Sequence, residues 1–347
     1  MSLTTEFYKM GTDPHSDEAA LMRAAAIIRD GGLVGMPTET VYGLAASAFN
    51  EHAAEKVYAA KGRPSDNPLI VHVAFPAEAE SIAYTTDLYY ALAERFMPGP
   101  LTVILPKKDT VPAGVTGGLD TVAVRCPAHS VAHELIRRAG VPIAAPSANR
   151  SGCPSPTTAE HVLRDMDGRI EMILDGGPCE IGLESTVIRL TEDGCEILRP
   201  GAVTEFMLAE VAGSVSVAKA VIDPALAGDK PLSPGMKYKH YSPNAEVVLV
   251  DGEDARFEEY IHSHITEKEA AVAADSWASR FDFCNRLSFG KAASAEEESR
   301  ALISVLREAD DKGYTRVYIQ LPPPEGGYLA LYNRLIRAAG GRIVHIK

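Results

Sequence analysis

Short apolar segments alternate with amphipathic helical segments along most of the chain, and this alternation restricts the possible folds more than any other feature. Residues 16–29 predict a helix, because apolar side chains recur there at spacings of three and four and a glycine pair follows. Residues 33–36, 69–73 and 121–125 are apolar runs that predict strands. Strands interleaved with helices indicate an α/β protein whose sheet can contain parallel and antiparallel pairs.

The chain is long enough for two domains, and a change in composition indicates where they separate. Its 347 residues exceed the usual size of one domain, about 100–200 residues. The stretch Val221–Pro243 contains four prolines, which is typical of a semi-rigid linker. After it, apolar segments at 246–250, 270–274 and 316–320 alternate with helical stretches. We therefore expect a second, smaller α/β unit of about 100 residues.

Charge and cysteine content exclude several classes of protein. The chain has 34 Lys and Arg against 47 Asp and Glu, a net charge of −13, which disfavours binding to nucleic-acid phosphates or anionic membranes. Its five cysteines are far apart and form no CxxC motif, so we expect neither a zinc site nor a disulfide framework, and a reducing, cytoplasmic location. No run of 18 apolar residues predicts a membrane span. The acidic run Glu296–Glu298 is expected to be a solvated first helical turn.

Two polar clusters lie next to predicted strands, where α/β proteins bind ligands. Pro37–Leu44 places two threonines, a glutamate and a tyrosine just after the strand at 33–36. A capped helix start with a buried tyrosine is the alternative. Lys61 and Arg63 flank a glycine and predict a rigid basic loop suited to polyphosphate, or else an exposed turn. His72 lies on the following strand and is either structural or part of the same end of the sheet.

Three further clusters come later in the chain. Arg125 ends a predicted strand and is suited to bidentate recognition of a carboxylate, with an ordinary salt bridge as the alternative. Pro146–Gly152 and Ser155 supply small hydroxyl and amide groups after a buried strand, as a nucleotide site does. Gly182–Val187 and Leu198–Gly201 complete the set.

Several common catalytic motifs are absent from the sequence. Ser147 is not in a GxSxG frame, which disfavours a hydrolase elbow. Gly290-Lys291 is followed by alanine, so it is no Walker A motif, and the chain has neither GxGxxG nor HExxH.

Taken together, Lys61-x-Arg63, Ser147-x-Asn149, Glu184–Val187 and Leu198–Gly201, in this order and spacing, resemble the YrdC-like domain. His240-Tyr-Ser-Pro243, followed by a small α/β unit, resembles the long, two-domain form of the threonylcarbamoyl-AMP synthase family. The resemblance implies an α/β fold in which a YrdC-like twisted mixed-sheet domain precedes a smaller Rossmann-like α/β domain. The implied boundaries are 12–208 for the first domain, 209–245 for a Pro-rich linker and 246–347 for the C-terminal domain.

The same resemblance implies an activity. Enzymes of this family are nucleotidyltransferases that make threonylcarbamoyl-AMP and pyrophosphate from L-threonine, bicarbonate and ATP. Their product is used in threonylcarbamoyladenosine modification of tRNA, so a downstream tRNA threonylcarbamoyl-transfer machinery is the implied partner. Mg²⁺ is expected with ATP, held by few protein ligands that the sequence does not assign. We do not expect the chain to bind tRNA directly or to associate with a membrane.

Site residues follow from the same match. The residues implied to hold L-threonine are Thr40, His72, Arg125, Ala145 (through its backbone) and Ser185. The residues implied to hold ATP are Arg63, Asn67, Thr121, Ser147, Asn149, Ser155, Arg199 and Tyr241. Lys61 and Arg63 are the implied catalytic residues, because they can neutralise the phosphates. Tyr241, on the linker, is expected to fold over the nucleotide as a lid that excludes water.

Two other functions are compatible with a domain of this type. One is an enzyme that acts on carbamoyl phosphate in hydrogenase maturation, but that family carries cysteine-rich zinc motifs that this chain lacks. The other is an RNA-binding or regulatory module without catalysis, which the net charge and the absence of interleaved basic and aromatic residues disfavour.

Overall fold

The computed structural model describes residues 3–11, 17–65, 67–226 and 242–346. By internal contacts these residues divide into two units. The large unit holds the described residues up to 226 apart from Gly152–Pro154 and Ile181–Leu183, and the small unit holds those two segments together with residues 242–346. Among the described residues, the large unit contains a sheet of eleven strands and the small unit a sheet of five.

The strands of the large unit are β1 (Glu6–Lys9), β2 (Val34–Met36), β3 (Gly43–Ser47), β4 (Ile70–His72), β5 (Leu101–Pro106), β6 (Thr121–Arg125), β7 (Ile143–Ala144), β8 (Met172–Asp175), β9 (Thr186–Thr191), β10 (Gly194–Arg199) and β11 (Ser214–Val217). Its helices are α1 (Glu18–Arg29), α2 (Glu51–Lys61), α3 (Asp87–Phe96), α4 (Ala113–Thr116), α5 (Ser130–Ala139), α6 (Ala159–Met166), α7 (Glu205–Ala212) and α8 (Lys219–Ile222).

The large sheet is mixed and has helices packed on both faces. Its strand order is β1-β8-β2-β3-β7-β4-β6-β5-β9-β10-β11, with parallel pairs such as β4–β6 and antiparallel pairs such as β5–β6. Helices α1 and α5 cover one face through side chains such as Leu21, Ile28 and Leu135. Helices α2, α3 and α6 pack in the core on the other face, where Val57 and Leu92 are fully buried. Each such aliphatic side chain contributes about 1.5–3 kcal/mol on burial.

Local signals fix where helix α2 begins and ends, and thereby where Lys61 lies. The Asn50 side chain caps the helix by accepting a hydrogen bond from the backbone N–H of Ala53 at 3.1 Å. Gly62 adopts the left-handed conformation that ends the helix, with φ 62°. Lys61 is therefore the last helical residue, and the chain turns sharply before Arg63.

Most predicted elements of the large unit are present, and the differences have local causes. The predicted strands at 33–36, 69–73 and 121–125 correspond to β2, β4 and β6. The capped-helix alternative for Pro37–Leu44 is wrong, because this segment contains no helix and runs into β3, a strand without β-branched residues. Helix α6 is capped by the Thr158 hydroxyl, which accepts from the N–H of His161.

The region predicted as a linker includes regular structure of the large unit. Strand β11 lies within the predicted linker 209–245 and pairs in parallel with β10. Its Val215 and Val217 pack against the large core, which holds this stretch on the sheet. Residues 227–241 lie outside the described residues.

The small unit is a parallel sheet with helices on both faces. Its strands are β12 (Glu246–Asp251), β13 (Glu269–Ala273), β14 (Arg286–Ser288), β15 (Arg316–Gln320) and β16 (Ile343–His345). Its helices are α9 (Asp254–His264), α10 (Ala295–Asp311) and α11 (Leu329–Ala339). The strand order is β14-β13-β15-β12-β16, and every pair is parallel. The sequence-based expectation of a smaller Rossmann-like α/β domain is confirmed.

No helix in the described part of the chain is both long enough and apolar enough to cross a membrane. The five cysteines, all within the described ranges, form no disulfide bonds.

Candidate active site

Neighbouring strands of the large sheet carry polar side chains at matching positions on one face. His72 of β4 lies opposite Arg125 of β6, and Arg125 lies opposite Thr102 of β5. Residues that are opposite in register project from the same face. The hydroxyls of Thr102 and Ser185, just before β9, are 2.8 Å apart. Arg199 donates to the backbone and hydroxyl oxygens of Ser185, each at 3.1 Å. These five residues form what we call the polar row.

Arg125 is paired with Glu39, a member of the polar cluster Pro37–Leu44 for which the sequence predicted no individual role. An Arg125 Nη2 atom lies 2.7 Å from Glu39 Oε1, and the two side chains are only 4% and 7% exposed. The other Glu39 oxygen accepts from the Ala128 N–H at 3.1 Å. Burial alone would raise the pKa of Glu39, but the Arg125 guanidinium and these hydrogen bonds hold it below its usual range.

Arg125 can form its salt bridge with Glu39 and still bind the carboxylate of a ligand, so the two interpretations drawn from the sequence are compatible. Arg125 Nε donates to the Gly99 carbonyl at 3.3 Å, which together with Glu39 fixes the plane of the guanidinium. A buried, pre-oriented guanidinium is well suited to hold a carboxylate. Glu39 lies within the polar cluster Pro37–Leu44, and a glutamate between two threonines just after a buried strand was the signal that could have identified it.

His72 is neutral in this environment and has an unused polar atom. It is buried, and burial first, then the charge of Arg125, lower its pKa to about 3. Its buried Nδ1 has no hydrogen-bond partner among the described residues. Since unpaired buried polar atoms are rare in native proteins, this nitrogen indicates a position where a bound ligand contributes the missing partner.

Replacing His72 with glutamine should flatten the pH dependence of stability in acid. The unfolded chain binds a proton at His72 below its ordinary pKa of 6.5, whereas the folded chain does so only near 3. Stability from this group is therefore complete above pH 6.5 and is lost as the pH falls toward 3, with a slope of about 1.4 kcal/mol per pH unit. Urea unfolding across this window measures the slope. His52→Gln, at an exposed position on α2, is the control, and an unchanged slope in His72→Gln contradicts the assignment.

Lys61 joins the end of α2 to the loop after β7. Its Nζ donates to the carbonyl of Asn149 at 2.7 Å, to the Asn149 Oδ1 at 3.3 Å and to the carbonyl of Ser147. The Ser147 hydroxyl donates to Asn149 Oδ1 at 2.5 Å, and Ser147 also bridges to Gly43 of β3. Lys61 is only 4% exposed and Arg63 is also buried, so the two basic side chains are not those of an exposed turn, although Gly62, Pro64 and Ser65 of the same loop are exposed.

Arg63 and Asn67 form the other half of this basic segment. Arg63 is buried and donates to the backbone carbonyl of Asn67 at 3.3 Å. The Asn67 side chain is fully buried, and its amide nitrogen and oxygen have no hydrogen-bond partner among the described residues. Leaving such a group unsatisfied costs about 1–3 kcal/mol. The amide of Asn67 is therefore a second position where a ligand would satisfy a buried polar group.

An apolar patch separates the two ends of this face of the sheet. Its members come from five neighbouring strands and are Ile70, Ile104, Ala123, Val187 and Leu198, which we call the apolar floor. Thr121 begins β6 and Arg125 ends it, on the same face as the intervening Ala123. The two ends of β6 are about 13 Å apart at the usual rise of a strand. The face thus combines a polar row at one end, an apolar floor and a hydroxyl at the other end.

The remaining predicted site residues lie as follows. Thr40 is fully buried beside Glu39, with its hydroxyl 2.9 Å from that of Thr38. Ala145 donates its N–H to the Ile70 carbonyl at 2.8 Å. The Ser155 hydroxyl donates to Glu184 at 2.5 Å, and both are buried. Tyr241 lies outside the described residues.

The Leu198–Gly201 motif packs directly against the Glu184–Val187 motif. A Cβ atom on Gly201 would lie 2.5 Å from the backbone nitrogen of Thr186 and 2.8 Å from the carbonyl oxygen of Glu184. Gly201→Ala should therefore lower the free energy of unfolding by about 1–3 kcal/mol, because two backbone segments must separate. Gly114→Ala is the control, since its Cβ meets nothing closer than 3.5 Å. Equal urea midpoints for the two variants contradict the expectation.

Comparisons with known proteins agree with this arrangement. The family model Sua5_yciO_yrdC, described as "Telomere recombination", matches residues 26–201. A second model, described as "Threonylcarbamoyl-AMP synthase, C-terminal domain", matches residues 203–340. A threonylcarbamoyl-AMP synthase of Bacillus subtilis is 42% identical over 341 residues, 95% of each chain. One from Pyrococcus abyssi is 43% identical over 333 residues, 95% of this chain and 97% of that protein.

A solved structure matches both units. The crystal structure of P. abyssi Sua5 complexed with L-threonine has a TM-score of 0.89 and 41% sequence identity, and covers 99% of each chain. The fold and the site together define a YrdC-type α/β domain joined to a small parallel-sheet domain. The chain belongs to the threonylcarbamoyl-AMP synthase family, and the resemblance drawn from its motifs is confirmed.

Proposed function

We propose that this protein is an L-threonylcarbamoyladenylate synthase, a nucleotidyltransferase that forms threonylcarbamoyl-AMP and pyrophosphate from L-threonine, bicarbonate and ATP. Membership of the family, with matches along nearly the whole chain, supports this function. The single structural observation that carries it is the buried, pre-oriented Arg125 at the end of a face that also offers an apolar floor and a basic segment.

L-threonine is proposed to bind at the polar row. The Arg125 guanidinium would hold its carboxylate, since a planar fork of donors fits a carboxylate bidentately. The neutral His72 nitrogen and the Ser185 hydroxyl are polar groups within the same row. Thr40 and the backbone of Ala145 are the other proposed contacts. A P. abyssi relative of similar structure has been solved with L-threonine bound, which supports this class of substrate.

ATP is proposed to lie along the rest of the face and to contact Arg199 of the polar row. The apolar floor suits a planar base, and Thr121 at its far end offers a hydroxyl. The buried, unsatisfied amide of Asn67 would gain partners from the nucleotide. Lys61 and Arg63 supply positive charge for the phosphates. The other proposed nucleotide contacts are Ser147, Asn149, Ser155, Arg199 and Tyr241.

The chemistry joins two anions, so charge neutralisation and positioning matter more than acid–base catalysis. The threonine amine takes up the carbon of bicarbonate with loss of water, giving a carbamate. A carbamate oxygen then attacks the α-phosphorus of ATP, the α–β bridging bond breaks, and pyrophosphate leaves. Arg125 fixes the amino acid, while Lys61 and Arg63 offset the charge that builds on the phosphates. The buried location excludes water from the labile product.

Mg²⁺ remains a proposal, as the partner of the ATP phosphates. The described residues contain no group of three or more His, Cys, Asp or Glu side chains able to hold a metal ion. This donor set fits an ion that is bound chiefly by triphosphate oxygens and water. It also disfavours the carbamoyl-phosphate enzyme, whose zinc motifs need clustered ligands.

The cellular setting is likewise proposed. A product that carries an activated carbamoyl group needs an acceptor, so a tRNA threonylcarbamoyl-transfer machinery is the proposed downstream partner. The five cysteines without disulfide bonds fit a cytoplasmic location. The negative charge supports the prediction that tRNA itself does not bind.

An ATP–pyrophosphate exchange assay tests the function. With the full chain, exchange of labelled pyrophosphate into ATP should require both L-threonine and bicarbonate. Replacing L-threonine with L-valine, which lacks the hydroxyl, is the matched control and should reduce exchange strongly. Exchange that proceeds without an amino acid contradicts the proposal, and an absence of exchange favours the non-catalytic binding module.

A further inference from the structure

The small unit contains a cavity at the carboxyl ends of its parallel strands. Its volume is about 270 Å³. The strand ends that line it include Ala273 of β13 and Ile319 and Gln320 of β15, and Asp254 at the start of α9 follows β12. In open α/β sheets, ligands bind outside the carboxyl ends of the strands. The cavity thus occupies the position where folds of this kind hold a ligand.

Chain topology explains why a crevice opens there. Strands β12 and β15 are neighbours, but the helices that follow them lie on opposite faces of the sheet. Phe257 of α9 packs with Val248 and Val250, whereas Leu335 of α11 packs with Val247, on the alternate face of β12. Such a reversal separates the connecting loops and leaves a space between them.

The walls of the cavity are largely aromatic and apolar. Phe257 and Phe289 are buried, while Trp277 and Tyr328 are half-buried and therefore reach solvent as well as the cavity. Aromatic faces carry a partial negative charge and attract cations. The guanidinium of Arg280 already lies over the Trp277 ring, 4.7 Å from its centroid. The remaining aromatic surface favours a ligand with an apolar body, and the preference for a positive group rests on the acidic side chains of the cavity.

The charged groups of the cavity are acidic. Asp254 and Glu298 line it, and no Lys or Arg is among the lining residues of the described chain. Asp254 already has partners, since the Gln320 amide lies 3.1 Å from its carboxylate and Arg280 lies 4.0 Å away. Glu298 has no ion pair with any described residue. Its carboxylate is the group without a counter-ion.

Glu298 differs from the expectation drawn from the sequence. The run Glu296–Glu298 was expected to be solvated, and Glu296 is exposed and paired with Arg300. Glu298 instead is half-buried and lines the cavity. It lies four residues before the buried Leu302 and therefore on the same, inward face of α10. Burial raises the pKa of Glu298 to about 7, which shows how poorly its negative charge is compensated.

A phosphate ligand does not fit this cavity. Helix α9 begins with Glu253 and Asp254, whose negative charges oppose an anion at that helix terminus. The loop after β15 contains Pro322 and Pro323, which have no N–H to donate to a phosphate oxygen. The nucleotide-binding mode familiar in Rossmann-type sheets is therefore absent from the described part of this unit.

We propose that this cavity is a binding site for a small organic cation, whose ammonium or guanidinium group pairs with Glu298 while its apolar body packs against Trp277 and Tyr328. The cation is the counter-ion that Glu298 lacks, and the aromatic rings cover the apolar body of the ligand. The site uses residues of the small unit alone and does not depend on the function proposed for the large unit.

The test uses Trp277, the only tryptophan of the sequence, as a fluorescent reporter in the full-length chain. The probe is phenethylammonium, titrated at mildly alkaline pH, with phenethyl alcohol and hydrocinnamate as its uncharged and anionic counterparts. We expect saturable changes in Trp277 emission with the cation, and roughly tenfold weaker binding of the alcohol, because the charge-assisted contact is lost. Calorimetry of the same titrations provides a readout independent of fluorescence.

Two variants locate the binding. Glu298→Gln keeps the shape of the side chain and should weaken cation binding roughly tenfold while leaving the alcohol unaffected. Glu296→Gln, two residues earlier on α10, should bind the cation like the original chain. Circular dichroism checks the fold of each variant. Equal affinity for cation and alcohol in the original chain, preference for hydrocinnamate, or no saturable binding of any probe each overturns the proposal.

Discussion

Replacing Arg125 with methionine should raise the KM for L-threonine roughly 100-fold, because truncating one member of a buried, charge-assisted contact costs about 2–5 kcal/mol. The KM for ATP should change far less, since Arg125 lies at the polar row and not on the apolar floor. Steady-state kinetics with each substrate varied in turn separates the two effects.

A measurement of stability distinguishes a role of Arg125 in binding L-threonine from a purely structural role as the partner of Glu39. In Arg125→Met the Glu39 carboxylate stays buried without its cation, so the free energy of unfolding should fall by about 3–5 kcal/mol. The double variant Glu39→Gln, Arg125→Met removes that charge and should recover much of the stability. Its KM for L-threonine should remain high. Recovery of threonine affinity together with stability would show that Arg125 acts only as a structural partner of Glu39.

Replacing Lys61 with methionine should lower kcat about 100- to 1000-fold, the usual effect of removing one group that stabilises transition-state charge. The KM for L-threonine should stay within about threefold, because Lys61 is bonded to the Ser147–Asn149 loop and not to the polar row. Initial rates of pyrophosphate release at saturating substrates measure the effect.

Lys56 provides a matched control for Lys61. It lies on the same helix and also donates to a backbone carbonyl, but that carbonyl belongs to Gly31, at 2.8 Å, which is not a predicted site residue. Lys56→Met should retain kcat. If both lysine variants lose activity in proportion to lost stability, the role of Lys61 is to hold the loop and not to neutralise phosphates.

The sequence predicted the strands that build the site, because buried strands carry a strong local pattern. The runs that contain His72 and Arg125 are short, apolar and bounded by turn residues, and both form strands. Strand β3 escaped prediction, since four of the five residues of Gly43–Ser47 are small and the strand conformation is imposed by the neighbours β2 and β7. The tertiary structure, and not the local sequence, therefore makes Gly43–Ser47 a strand.

The pairings inside the site could not be read from the chain in the same way. Glu39 meets Arg125, Thr102 meets Ser185, and Glu184 meets Ser155 only because distant segments become neighbours in the folded sheet. No local pattern encodes such a contact. Single polar residues in otherwise apolar strands, such as Thr102 in β5, are the nearest available signal.

The burial of Glu298 shows the same limit in the small unit. Three consecutive glutamates at a helix start are usually solvated, and the sequence offered no reason to separate the third from the others. Its position follows from how α10 packs in the small unit, where Leu302 and Leu306 are fully buried in the core. Helix rotation is set by that packing, and it directs Glu298 toward the cavity.

Product analysis with isotopically labelled bicarbonate tests the central claim most directly. The full-length chain, incubated with L-threonine, ATP and Mg²⁺, should transfer the labelled carbon into an adenylate that also contains threonine, with one pyrophosphate released for each adenylate formed. Mass spectrometry of the quenched reaction identifies that species. An adenylate without labelled carbon, or pyrophosphate released equally well when bicarbonate is left out, would contradict the account.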